Sequence, residues 1–141
     1  MQSFMSTTIL ATLLLVGSHA FATETSEPAV TFENDIQPLL TRFGCNSGPC
    51  HGKSRGQNGF ALSLLGFDSQ FDFDSIVHQS RGRRVSAAAP EKSLLLQKAL
   101  GELPHGGGQR FATDSKPHAL FRRWIAAGSP RTPDDAPKLE R

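Results

Sequence analysis

Glycine and proline punctuate this chain so often that long loops must join short helices. The 141 residues include 13 Gly and 9 Pro. Between these breaks apolar residues recur at helical spacing, and the alternation that marks a half-buried strand is nearly absent. The pattern predicts a small all-α domain of three to five short helices.

A first helix is expected over about 34–43, with Ile36, Leu39, Leu40 and Phe43 on its apolar side, Asn34 as its cap and Gly44 as its end. Residues 45–59 are glycine-studded and basic, and read as a loop. Residues 60–66 fit either a strand-like stretch or a buried turn. Asp72 or Asp74 is expected to cap a short helix carrying Ile76 and Val77. Pro90, Glu91, Lys92 and Ser93 open the next helix, which carries Leu94, Leu95, Leu96, Ala99 and Leu100 and stops before Gly101. A loop over 101–113 leads to a last helix at about 115–127. Its apolar face is Leu120, Phe121, Trp124 and Ile125, and Gly128 with Pro130 stops it.

The amino-terminal 22 residues contain no Asp, Glu, Lys or Arg. Their apolar run, 8–16, is shorter than the roughly 20 residues that span a bilayer. With the triplet Ala20-Phe21-Ala22 it reads as a secretory signal peptide cut after Ala22, which places the mature protein in the periplasm or an equivalent compartment. An uncleaved amino-terminal anchor is the alternative, and the route by which the chain would meet a membrane. What remains is enough for one domain. The expected division is a polar lead-in at 23–30, a folded domain at 31–130 and a loose, Pro-rich charged tail at 131–141. A formal net charge of +2 is too weak for an electrostatic nucleic-acid binder, so no nucleic-acid partner is expected. Two cysteines are too few to staple a secreted miniprotein, which leaves the pair for a dedicated task.

That task points to the stretch Cys45-Asn46-Ser47-Gly48-Pro49-Cys50-His51. In covalent haem attachment two thiols reach the two vinyl groups of one porphyrin, while the adjacent imidazole stands under the iron. The common signature has two residues between the cysteines and a His directly after the second. Here the intervening residues number four, and Gly48 and Pro49 suit a turn that folds the extra pair away. Two other readings fit the same residues. Cys45 and Cys50 can close a small disulfide loop, or serve a Cys₂His metal site, for which further soft ligands are missing.

A longer pattern surrounds the motif. Phe32-Glu33-Asn34-Asp35-Ile36-Gln37-Pro38-Leu39-Leu40, followed by Gly44-Cys45 and Cys50-His51-Gly52, resembles the start of the planctomycete-type cytochrome c domain. The likeness continues through Gly59-Phe60-Ala61-Leu62-Ser63-Leu64 and Pro90-Glu91-Lys92-Ser93-Leu94-Leu95. It ends at Leu120-Phe121-Arg122-Arg123-Trp124-Ile125-Ala126-Ala127-Gly128, so that it covers roughly residues 31–130. The resemblance implies a cytochrome c-like fold and one haem c held through Cys45 and Cys50, with His51 as the proximal iron ligand. It also implies one-electron exchange with a transient redox protein partner, by an electron-transfer module rather than an enzyme in itself.

The chain departs from that family in its four-residue spacing, and again before its last helix. Where the family more commonly carries a Met-Pro-Pro turn, this sequence has Leu103-Pro104-His105, and its methionines, Met1 and Met5, lie in the signal segment. A His–Met haem is therefore excluded for the mature protein. His105, His78 and His118 remain for the sixth position, or the site stays open. His105 is favoured because its loop can wrap across the second face, with Gly106, Gly107 and Gly108 letting backbone approach a ring. Arg83 and Arg84 are candidate partners of the haem propionates. The competing functions are a haem-free interaction domain closed by a Cys45–Cys50 disulfide, and a haem enzyme or sensor with an open distal site. Asp68, Asp72 and Asp74 resemble half of a calcium loop without its glycine and distal Glu, and caps or turns explain them better.

Overall fold

The first helix begins where the chain is folded back on its own next turn. The Asp35 carboxylate accepts the Thr31 N–H at 2.7 Å and its hydroxyl at 3.3 Å. From there a π-helical turn, Phe32–Ile36, runs directly into α1, Gln37–Arg42, with Pro38 in the first turn where its missing N–H costs nothing. Asn34 is not the cap: its side-chain amide donates to the Pro137 carbonyl at 2.8 Å. Gly44, at φ +68°, ends the helix as expected, and the Cys45 N–H returns to the Leu40 carbonyl at 2.8 Å. These coordinates are a computed structural model that describes residues 27–137. The expected signal segment, the first half of the lead-in and the last four residues lie outside the described residues.

Residues 60–66 settle as a turn. The Leu62 N–H donates to the His51 carbonyl, and Leu64–Gly66 forms a single tight helical turn with Leu65 at φ +56°. Helix α2 spans Ser69–Val77 and is capped by Asp68, which accepts from the Phe71 N–H at 2.9 Å. Neither Asp72 nor Asp74 caps it. Asp72 is fully buried and accepts from Ser63 N–H, Ser63 Oγ and Gln37 Nε2, while Asp74 holds His78 at 2.8 Å. Helix α3, Leu94–Ala99, follows a short turn at Pro90–Lys92, and Gly101 lies just beyond it at φ +75°. Helix α4, Lys116–Ala126, starts on Ser115, whose hydroxyl accepts from the His118 N–H. The described chain is thus all-α, four α-helices joined by tight turns, with no strand among the described residues.

The core gathers where the Phe32–Ile36 turn, α2, α3 and α4 converge. Trp124, Phe32, Ile36, Ile76, Leu96 and Ile125 have no exposed surface. Phe32 packs edge-on to Phe73, with centroids 5.3 Å apart, and against Trp124 at 5.7 Å. The segment after α4, expected to be loose, is tied down through its first residues. The Pro130 carbonyl accepts from both Phe32 N–H and Trp124 Nε1, and Thr132 N–H donates to Glu33 at 2.7 Å. Arg131 also donates to Glu33. Proline and charge suggested solvent, but these groups satisfy polar atoms at the open start of the first helix.

Candidate functional site

Two glycines force the segment around Cys45, Cys50 and His51 into its shape. A Cβ on Gly52 would lie 1.9 Å from the Asn46 carbonyl oxygen, and one on Gly56 would lie 2.0 Å from that of Phe60. Backbone therefore packs directly on backbone at both points, which no other residue allows. The folded segment is pinned further by His51 N–H to the Cys45 carbonyl at 2.9 Å and Cys50 N–H to that of Ser47 at 3.0 Å. Cys45, Cys50 and His51 thereby face one cleft of about 340 Å³, a size usual for small-molecule sites. Both cysteines are free thiols, and burial pushes Cys45 up to about 11, which keeps it protonated at neutral pH.

Across this cleft stands His105. The rings of His51 and His105 are within 8° of parallel, with centroids 6.3 Å apart. The same spacing, about 6 Å between centroids, arises when two imidazole nitrogens each lie about 2 Å from a shared metal, a geometry that requires the stacked rings to turn their Nε2 edges toward it. Each ring is also oriented through Nδ1: His51 bonds the Phe60 carbonyl at 2.9 Å, and His105 bonds that of Gly108 at 3.0 Å. Because each acceptor is a carbonyl, Nδ1 carries the proton of the neutral ring and Nε2 keeps the lone pair. Burial lowers the pKa of His51, against the pull of the Phe60 carbonyl, and the charges of His105, Arg84 and Arg110 lower it further. The ring is then neutral at neutral pH, the form that offers a lone pair.

The other described histidines, His78 and His118, stand apart from the cleft. His78 is exposed and paired with Asp74, while His118 bonds Glu91 at 3.0 Å, beside Arg122 on the same carboxylate. Among the described residues, the structure brings together the two cysteines, His51 and His105, and leaves His78 and His118 on other surfaces.

The walls are apolar and the charged groups are of one sign. Leu40, Leu94, Leu95, Leu96, Phe111 and Phe121 line the cleft. Arg83, Arg84, Lys98 and Arg110 line it too, and no Asp or Glu does. Arg84 is 4% exposed, yet it donates to three neutral carbonyls, those of Ser75, Gln79 and Gly59, and lies over the Phe60 ring at 4.7 Å. None of these four cations forms an ion pair among the described residues. A buried guanidinium without a counter-charge is costly, and an anionic ligand removes that cost. Arg84 is thus held by the fold through these carbonyls and the Phe60 ring while it lines the cavity, and Arg83 is exposed at the rim.

Lys98 and Arg110 escaped the sequence reading. Each is a single basic residue in a helix or loop, and nothing in spacing distinguishes it from a solvated one. The chain matches no family model, no curated protein and no solved structure.

Proposed function

We propose that the chain is an exported c-type cytochrome domain of cytochrome c-like architecture. It would carry one covalently bound haem and exchange single electrons with a partner redox protein. The observation that carries this reading is the parallel pair His51–His105, 6.3 Å apart in the cleft that both cysteines line. Two imidazoles fill only two positions on a metal. Among the described residues no three His, Cys, Asp or Glu side chains are grouped to hold an ion by themselves. The remaining donors would belong to the ligand, as they do in a porphyrin. A flat, largely apolar dianion also suits leucine and phenylalanine walls with cations and no acid.

When bound, haem supplies the ferric–ferrous couple. Cys45 and Cys50 provide the two thioether sulfurs. His51, oriented by the Phe60 carbonyl, would hold the iron from one side, and His105, oriented by that of Gly108, would hold it from the other. Arg83 and Arg84 balance the propionates, and the apolar walls keep water from the centre. Were His51 and His105 both to bind the iron, a substrate would find no open position there, and the domain would serve as a carrier rather than an enzyme. A bis-imidazole centre has a lower potential than a His–Met one. Docking to the redox partner is expected to be small and transient.

The test is the intact mass and the denatured visible spectrum of the full chain, expressed into an export compartment with c-type maturation. The expected result is a mass raised by one haem that survives denaturation, on a chain beginning at Thr23. A mass lighter by two hydrogens and no Soret band would leave a disulfide-closed domain and overturn the reading.

A further inference from the structure

We propose that Arg110 is a positioning residue, a clasp that holds the His105 loop against the Cys50 segment and so sets the gap between the two imidazoles. The spectroscopic arm of its test rests on the haem reading, and the exchange arm does not.

The backbone of Arg110 is fixed to α3, its N–H donating to the Ala99 carbonyl at 2.7 Å. From that anchor the guanidinium reaches the opposite side of the cleft. Nη1 donates to the Phe43 carbonyl at 3.3 Å and Nη2 to Cys50 Sγ at 3.5 Å. Its near side lies against the loop: a Cβ on Gly107 would fall 2.5 Å from Nη2 and 3.0 Å from His105 Cε1. The space a side chain would take at 107 is therefore filled by this guanidinium and this imidazole together.

The rest of the loop has no other hydrogen bond to the His51 side among the described residues. Gly108 N–H and His105 Nδ1 bond within the loop, and Lys98 Nζ holds the Pro104 carbonyl from α3. Arg110 is unpaired with any carboxylate among the described residues, so its donors are not shared with an ion pair. Arginine suits the task because its planar fork addresses two acceptors at once, which a lysine ammonium does not.

The experiment compares the full chain with Arg110→Met, Arg110→Lys and Gly107→Ala. In haem-free protein, hydrogen exchange at the amides of residues 104–110 is expected to speed about tenfold in Arg110→Met, with α4 unchanged as the control for folding. In haem-loaded protein of unchanged covalent mass, Arg110→Met should convert part of the ferric centre from low to high spin and bind added imidazole about tenfold more tightly. Arg110→Lys should restore part of both effects, and Gly107→Ala should reproduce the loss by displacing the guanidinium while leaving Arg110 in place. Unchanged loop exchange together with an unchanged low-spin spectrum would overturn the clasp while leaving the cytochrome reading intact. Faster loop exchange in a chain that never takes up haem would support the clasp and sink the cytochrome reading. Should Arg110→Met fail to fold, Gly107→Ala carries both arms.

Discussion

Where the chain's end meets its start, polar groups answer one another. Glu33 takes Thr132 N–H and Arg131, and the Trp124 indole and the Phe32 N–H share the Pro130 carbonyl. In the cleft, by contrast, Arg84 and Arg110 donate to carbonyls and a thiol, and none of the four lining cations forms an ion pair among the described residues. The first region is closed on itself and belongs to folding. The second brings imidazoles, thiols and guanidinium groups to the lining of one cleft without a carboxylate partner among the described residues, as the proposed haem site would require. Substitutions in the two regions should therefore separate stability from ligand capture.

The sharpest contrast sets Trp124→Ala beside Cys50→Ala. Trp124 has no exposed surface and packs on Phe32, so its truncation should cost about 3–5 kcal/mol in urea unfolding of the haem-free chain. Cys50→Ala should cost only about 1 kcal/mol, since the half-buried thiol gives up little beyond the Arg110 Nη2 contact at 3.5 Å. It should still remove one thioether, leaving a haem that is attached at a single point or lost on denaturation. Equal destabilisation by the two would dissolve the distinction between the regions.

Gly52→Ala is where the comparison is most exposed. The residue belongs to the cleft by sequence, yet its Cβ would meet the Asn46 carbonyl at 1.9 Å, and backbone on both sides would have to move. A loss of about 1–3 kcal/mol is expected, the usual cost of overpacking. A smaller loss would mean that the attachment segment yields easily and that its shape is set by the ligand.

The regions should also part in their response to acid. Burial works to raise Glu33, but the Thr132 N–H and the Arg131 guanidinium outweigh it and hold the carboxyl below its ordinary 4.5. Its contribution is thus present above pH 4.5 and lost as pH falls through the folded value. His51 is lowered from 6.5, mainly by burial. An unfolded chain then binds the proton more readily, so stability declines already as pH drops below 6.5. In haem-free protein, Glu33→Gln should flatten the stability curve below pH 4.5 and His51→Gln the part just below 6.5. Exchange of those two windows would contradict the assignment.

How much of this could be read beforehand follows the same division. The helices were legible because Ile36, Leu40, Phe121, Trp124 and Ile125 recur at helical spacing and Gly44, Gly101 and Gly128 take positive φ at their ends. The caps were not, since Asp68, Asp72 and Asp74 are locally equivalent. Only the burial of Asp72 against Ser63 and Gln37 removes it from the helix start. The tail was misread for a related reason, as its value to Glu33 depends on a partner about a hundred residues away. In the cleft, Cys45, Cys50 and His51 announced themselves by adjacency. Arg110 could not, because its role is set by what a glycine three residues earlier leaves empty.

The smallest stability effect, and the most diagnostic one, is expected at His105. Its ring is half-buried on a loop, and its hydrogen bond, to the Gly108 carbonyl, stays within that loop. His105→Ala should therefore change the stability of the haem-free chain by no more than about 0.5 kcal/mol. Nothing in the core would register the change. In the loaded protein the same substitution removes one of the two imidazoles that face the cleft, and the ferric spectrum should shift from low to high spin. His78→Ala and His118→Ala serve as controls, since Asp74 and Glu91 hold those rings on other surfaces. A spin state indifferent to His105 but responsive to either control would move the distal ligand elsewhere. Indifference to all three would mean that His51 binds alone, and the domain would then belong with haem proteins that keep an open site.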